Sequence, residues 1–171
     1  MTESPRPARQ GLLGVYLNDH LAGATTGAGL ARRMAASADP GTESARVLGE
    51  LAGDIAEDRS ALATIMGTLG LGVRGYKVLA AWAGEKAGRL KLNGHLLTRS
   101  PLSDLEETEM LRLGVEGKAA VWRTLRVLAE ADSRLDSRHL DELIARADRQ
   151  SRLLESLRAS LAGQVLTASA R

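Results

Sequence analysis

The chain of 171 residues has no cysteine and no phenylalanine, and its only aromatic rings are Tyr16, Tyr76, Trp82 and Trp122. Without a thiol there is no disulfide, no iron–sulfur cluster and no thiolate zinc site. With four rings spread over the whole length, a module that stacks successive bases on aromatic side chains is excluded, and no specific nucleic-acid recognition is expected. Proline is scarce, at four residues, two of them in the first ten. No stretch of about 18 apolar residues occurs, so no membrane-spanning helix is expected. Residues 1–10 hold two prolines and no apolar core, which does not read as a signal peptide. These absences together predict a cytoplasmic protein.

What remains is rich in Leu, Ala, Val, Arg and Glu. Leu, Ala, Arg and Glu favour helices, while the β-branched and aromatic residues that favour strands are few apart from Val. The arginine and alanine bias is that of a GC-rich, bacterial genome. The length suits one domain with a sizeable core. Net charge is +2, unevenly placed. Residues 70–101 carry six basic groups and one acidic, whereas the segments on either side are mildly acidic.

Periodicity predicts a tail over 1–9, a bundle domain over 10–163 and a polar tail over 164–171. The first long helix is expected from Gln10 to Ala36, stopped by Asp39-Pro40-Gly41, with Leu13, Leu17, Ala24, Ala31 and Met34 inward. The second runs from Thr42 to Leu69. Its seam of Leu48, Leu51, Ile55, Leu62, Ile65 and Leu69 follows steps of three and four. A shorter crossover helix is expected over 73–92, ending at Asn93-Gly94. The third long helix starts with Ser100 as N-cap and Pro101 at the first helical position, and continues to Asp132. The fourth spans Asp136 to Ala162. The third helix is read with Leu102, Leu105, Leu113, Ala120 and Val127 inward, and the fourth with Leu140, Leu143, Ala147, Leu154 and Leu157. Two short-looped helical pairs joined by one long connection form an all-α four-helix bundle of ferritin-like topology with an extra crossover helix.

Polar residues interrupt these seams near mid-height: His20, Asp58, Glu116 and Gln150, with Glu109 two turns away and Asp54 and Glu57 beside Asp58. A buried unpaired carboxylate costs several kcal/mol, so such groups must share hydrogen bonds, a proton or a cation. One reading is a metal site with His20, Asp58, Glu116, Glu109 and Glu57 as ligands and Gln150 and Asp54 as supporting hydrogen bonders. Mixed oxygen and nitrogen donors would suit iron or manganese, and zinc less well. The other reading is a structural polar layer that fixes helix register. On that reading Asp58→Leu is expected to be neutral or stabilising, provided its partners tolerate it.

The segments YLNDHLAGATTGAGLARRM, LAGDIAEDRSALATIMGTLG and EETEMLRLGVEGKAAVWRTL resemble, in pattern, the ferritin-like superfamily and more distantly the bacterial stress-response proteins of the YciF type. The resemblance spans residues 10–162. It implies a bundle with inward carboxylates at the positions of His20, Asp58, Glu116 and Gln150. The chain departs from that family in lacking Glu-x-x-His: the residues three before its histidines are Leu17, Leu92 and Asp136. A two-iron oxygen-activating centre is therefore not expected.

Other motifs carry less. Gly70-Leu71-Gly72-Val73-Arg74-Gly75 follows a helix, not a strand, and reads as a helix stop rather than a phosphate loop. No spacing of Ser, His and Asp suggests a nucleophilic triad. The basic crossover places Arg74, Lys77, Lys86, Arg89 and Lys91 near Tyr76 and Trp82, a surface that could meet an anionic partner. Ala- and Gly-rich faces on the first helix allow the close approach that a homodimer needs.

Overall fold

The computed structural model describes the backbone of residues 6–73 and 101–168 and the side chains of 11–73 and 102–167. Within these residues there are four helices and no strand: α1 (Arg6–Ser37), α2 (Glu43–Thr68), α3 (Pro101–Leu128) and α4 (Ser137–Ala168). The expected crossover helix over 73–92 and its basic residues Arg74, Lys77, Lys86, Arg89 and Lys91 lie outside the described residues, except for Val73.

Local chemistry explains where the helices stop. Gly41 adopts φ 83°, and Thr42 then caps α2, its hydroxyl oxygen accepting from the Ala45 N–H at 3.1 Å. At the other end of α2, Gly70 takes φ 70°, with Gly70 N–H donating to Gly67 O at 3.0 Å and Leu71 N–H to Met66 O at 2.9 Å. This paired closure needs the left-handed residue that glycine supplies without strain. Asp136 caps α4, accepting from the Arg138 and His139 N–H groups at 2.9 and 3.2 Å.

Three boundaries differ from expectation. α1 begins at Arg6, four residues early, because Pro7 falls in the first turn where a missing N–H costs nothing. α3 ends at Leu128, not Asp132, where Glu130 and Ala131 N–H groups turn back on Val127 and Leu128. α4 continues through Gly163 to Ala168, since a lone helical glycine costs only about 1 kcal/mol against alanine.

Pairwise contacts fix the helix directions. Arg59 Nε donates to Thr25 Oγ1 at 2.9 Å and Asn18 Nδ2 to Gly72 O at 3.1 Å, so α1 and α2 are antiparallel. Arg123–Asp148 at 2.9 Å, Arg126–Asp141 at 3.0 Å and Arg112–Glu155 at 3.0 Å make α3 and α4 antiparallel. Arg134, just after α3, reaches Leu69 O at the end of α2 at 3.2 Å. That contact, with Asp58 of α2 meeting Lys118 of α3, sets α2 and α3 running the same way. The chain therefore leaves α2 at one end of the bundle and enters α3 at the other.

The core runs the length of the bundle. Leu17, Leu51, Met66, Trp122, Leu125, Leu140, Leu143 and Leu154 are all essentially inaccessible. The α2 seam is buried in full, as its spacing predicts, and so are Leu140, Leu143, Ala147 and Leu154 of α4. The α3 seam is a correction. Leu105 is buried as expected, but Leu113 and Val127 are 67% and 66% exposed, Leu102 and Ala120 are exposed too, and the rest of the buried set is Thr108, Leu111, Val115, Ala119, Val121, Trp122 and Leu125. α3 carries two apolar rows at helical spacing, and only packing against its neighbours selects between them.

Candidate functional site: a buried ionic cluster at mid-bundle

Asp58 sits in the seam of α2 with no solvent access. Its Oδ2 accepts from the Lys118 ammonium of α3 and, at 3.0 Å, from Gln150 Nε2 of α4. Its Oδ1 lies 2.6 Å from Arg146 Nη2, an ion pair by distance that lacks hydrogen-bond alignment. Lys118 Nζ also donates to Gln150 Oε1 at 2.5 Å, so the amide bridges anion and cation with both ends used. Arg146 turns its other nitrogen outward to Glu57 Oε2 at 2.9 Å. Three helices thus converge on one carboxylate.

Each part has a local cause. Asp58 falls one heptad step after Ile55 and before Leu62, both buried, which carries its side chain inward. Lys118 stands in the buried row of α3 between Val115 and Trp122, with its head inside and only a tenth of its side chain accessible. Burial pushes the Lys118 ammonium below its ordinary pKa; the Asp58 charge and hydrogen bond oppose that, while the nearby Arg146 charge adds to it. Asp54, half-buried one turn earlier, supplies a further negative field at Lys118. In direct ion pairs, two acids, Asp58 and Glu57, meet two cations, Lys118 and Arg146.

The sequence-predicted ligands are not gathered here. Asp58, Gln150 and, through Arg146, Glu57 belong to the cluster. Glu116 is exposed and accepts from Ser151 Oγ at 2.5 Å, and Glu109 is exposed with Arg158 at 3.9 Å. Their assignment to the core is corrected with the α3 seam: both lie on the row that faces away from it. His20 is half-buried and turned to Tyr16, ring centroids 4.6 Å apart in an edge-to-face pair. Among the described residues no three or more His, Asp or Glu side chains are grouped so as to hold a metal ion. The donor set around Asp58 is ammonium, guanidinium and amide. It offers a divalent cation one carboxylate and two positive charges to repel it, and so does not fit iron, manganese or zinc.

Lys118 and Arg146 are the residues that sequence reasoning missed. Lys118 is legible as a cation inside the row Leu111, Val115, Trp122, Leu125. Arg146 adjoins the seam residue Ala147 and carries no comparable signal.

His20 itself makes a testable contribution. Burial lowers its pKa below 6.5, against a smaller upward pull from Asp19. Below pH 6.5 the unfolded chain then binds more protons than the folded one, so stability falls as pH drops through the depressed folded value. Urea midpoints compared between about pH 7.5 and 5 should decline in the wild type and decline less in His20→Gln. Equal slopes in the two proteins would remove His20 from the acid response. Asp132 acts oppositely in charge but alike in direction: Arg134 holds its carboxyl at about 2. What it contributes to the loop is present above pH 3.8 and lost as pH falls toward 2.

A groove of about 280 Å³ lies between the end of α2 and the start of α4, walled by Ile65, Leu135 and Leu140 with His139 at its rim. Asp136, the acid beside it, is occupied as the α4 cap, so His139 and Asp136 form no acid–base pair. A scan against protein-family models, a search of curated proteins and a search of solved structures each returned no match.

Proposed function

We propose that the chain is a non-enzymatic interaction module: a helical bundle of ferritin-like connectivity whose mid-height polar layer is structural rather than a metal site. The observation that supports it is the pairing of Asp58 with both Lys118 and Arg146, which fills the place a cation would take. The connectivity reading rests on two antiparallel helical pairs with α2 and α3 parallel, an arrangement that calls for one long crossover. None of the described helices is long and apolar enough to cross a membrane.

The surface assigned to a partner is the basic crossover over 73–99, and the partner is anionic. The segment 70–101 carries a net charge of +5, while the flanking segments are acidic. Concentrated positive charge of this kind raises on-rates and affinity for polyanions in a salt-dependent way.

The test uses the untagged full-length chain in two arms. Purified without chelator and then offered iron(II), manganese(II) or zinc, it should hold none at stoichiometric level. On an immobilised phosphorylated polyanion, Arg74→Gln/Lys77→Gln/Arg89→Gln should elute at clearly lower salt than Arg32→Gln/Arg33→Gln/Arg152→Gln. Both triple variants lose the same charge, and the second set is exposed elsewhere on the bundle. Stoichiometric metal lost in Asp58→Asn, or identical elution of the two variants, would sink the reading.

A further inference from the structure

Each helical hairpin, α1–α2 and α3–α4, is closely packed within itself, and α1 lies against α3; among the described residues α2 and α4 are the least closely packed of the touching pairs. Two grooves mark that side of the bundle. The first, of about 280 Å³, is walled by Ala61 and Ile65 of α2 and Leu140 of α4. The second, of about 160 Å³, runs along α4 past Leu143 to Arg146 and Arg149, and His139 borders both. Long polar side chains bridge what the backbones leave open. Arg146 reaches Asp58 at 2.6 Å and Glu57 at 2.9 Å, and Gln150 reaches Asp58 at 3.0 Å. Lys118 arrives from α3, which lies diagonally opposite α2 without close backbone approach.

A seam bridged in this way holds differently from the inside of a hairpin. An apolar interface resists separation in proportion to the area it covers. A buried ion pair resists less, because each charge regains hydration as the pair comes apart. Water already reaches the cluster from this side: a fifth of the Arg146 side chain and most of that of Glu57 are accessible. Asp58, by contrast, is closed off entirely. A small movement of α4 away from α2 would therefore hydrate the cluster from Glu57 inward. Sub-global openings of this sort expose part of a core while the rest of the fold persists.

We infer that the α2–α4 seam is the edge at which the bundle opens: the hairpins part there about the α1–α3 contact, each remaining folded, with the Asp58 cluster as the clasp. Parting turns Leu62 and Ile65 of α2 and Leu140 and Leu143 of α4, all buried in the closed bundle, toward solvent. The chain thereby carries apolar surface that only the open form displays. The inference stands on the described helices and holds whatever the basic segment 73–99 binds.

Single cysteines test it, since the chain has none of its own. Three buried alanines form a matched set: Ala147 beside Arg146 at the seam, and Ala22 and Ala119, one inside each hairpin. Ala22 lies between Asn18 and Thr25, which bond to Gly72 and Arg59, and Ala119 between Glu116 and Arg123, which bond to Ser151 and Asp148. Each is replaced by Cys in the full-length protein. Labelling by a neutral maleimide is followed without urea and at low urea, and divided by the rate for the same thiol in the unfolded chain. Ala147→Cys should label about tenfold faster than the other two or more, with a shallower urea dependence, because parting exposes less surface than unfolding. Asp58→Asn should raise Ala147→Cys labelling about tenfold further with helicity unchanged. Arg146→Gln, which leaves Lys118 on Asp58, should raise it too, and carries the test if Asp58→Asn does not fold. Asp58→Leu/Lys118→Met/Arg146→Met, an apolar closure, should bring it down toward the rate of Ala22→Cys. Equal labelling with equal urea dependence at all three sites would leave only global unfolding and overturn the inference. So would faster labelling at Ala22→Cys or Ala119→Cys, which places the opening inside a hairpin, or an Ala147→Cys rate that neither cluster variant changes.

Discussion

Asp58→Leu is expected to cost about 3–5 kcal/mol of unfolding free energy, the usual consequence of removing one member of a buried ion pair. From the sequence alone, a structural layer is expected to make the exchange neutral or stabilising, provided the partners of Asp58 tolerate it. Lys118 and Arg146 reverse the sign. With Asp58 gone, the Lys118 ammonium keeps Gln150 Oε1 and the more distant charge of Asp54, and Arg146 keeps the solvent-facing Glu57. Two cations are then left at the centre of the bundle without their shared counter-ion. A domain of this size holds about 5–15 kcal/mol in all, so the variant should unfold at much lower urea. Removing the whole cluster at once should behave differently. Asp58→Leu/Lys118→Met/Arg146→Met leaves no uncompensated charge, and such replacements end within a few kcal/mol of the parent, often above it. Urea unfolding followed by circular dichroism measures both. A single variant as stable as wild type, or a triple variant worse than the single one, would show that the cluster is not ion-paired as described.

The same variant has a pH signature. Lys118 is already held below its ordinary 10.5 by burial, with Asp58 pulling the other way. Loss of Asp58 lowers the folded value further, so on the alkaline side the unfolded chain binds more protons than the folded one. Stability of Asp58→Leu should therefore rise as pH increases from the folded value toward 10.5, and its deficit against wild type should shrink. A deficit independent of pH would mean that Lys118 finds another way to be satisfied.

The outlines of this cluster were legible in the sequence at the level of depth but not of face. Asp58 and Gln150 break clean apolar seams, and a polar residue inside such a seam has to point inward; both do. The seams place Glu116 and Asp58 both near mid-height, and the residue that meets Asp58 is Lys118, two positions along. Two positions are 200° around a helix. The depth was right and the side was wrong, because α3 offers one row through Leu102, Leu113 and Val127 and another through Leu111, Val115, Trp122 and Leu125. Both obey helical periodicity, and only the presence of α1, α2 and α4 on one side breaks the tie. His20 was misplaced for a related reason: α1 is so rich in Ala, Gly and Thr that its seam has few large residues to fix its phase, and the imidazole turns to Tyr16 at the α1–α3 border. The loop closures were better determined, since Thr42, Gly70 and Asp136 each act through local chemistry that needs no tertiary partner.

Trp122 is where the choice of α3 row has its largest energetic weight. It is inaccessible to solvent and is the largest fully buried side chain among the described residues. Trp122→Ala should cost about 3–5 kcal/mol through lost transfer energy and the cavity left behind, comparable to breaking the ionic cluster one turn away. Yet among the described residues the buried indole N–H has no hydrogen-bond partner, a defect of about 1–3 kcal/mol that the native residue tolerates for its volume. Trp122→Phe removes that orphaned donor along with part of the ring, and the two changes oppose each other. Its unfolding midpoint should consequently lie much nearer wild type than that of Trp122→Ala. On the outer row the size of the side chain should matter far less: Val127→Ala, at a residue 66% exposed, is expected to shift stability by under about 1 kcal/mol. If Val127→Ala were as damaging as Trp122→Ala, the row assigned to the interior of α3 would be the wrong one, and Lys118 would lose its place beside Asp58 with it.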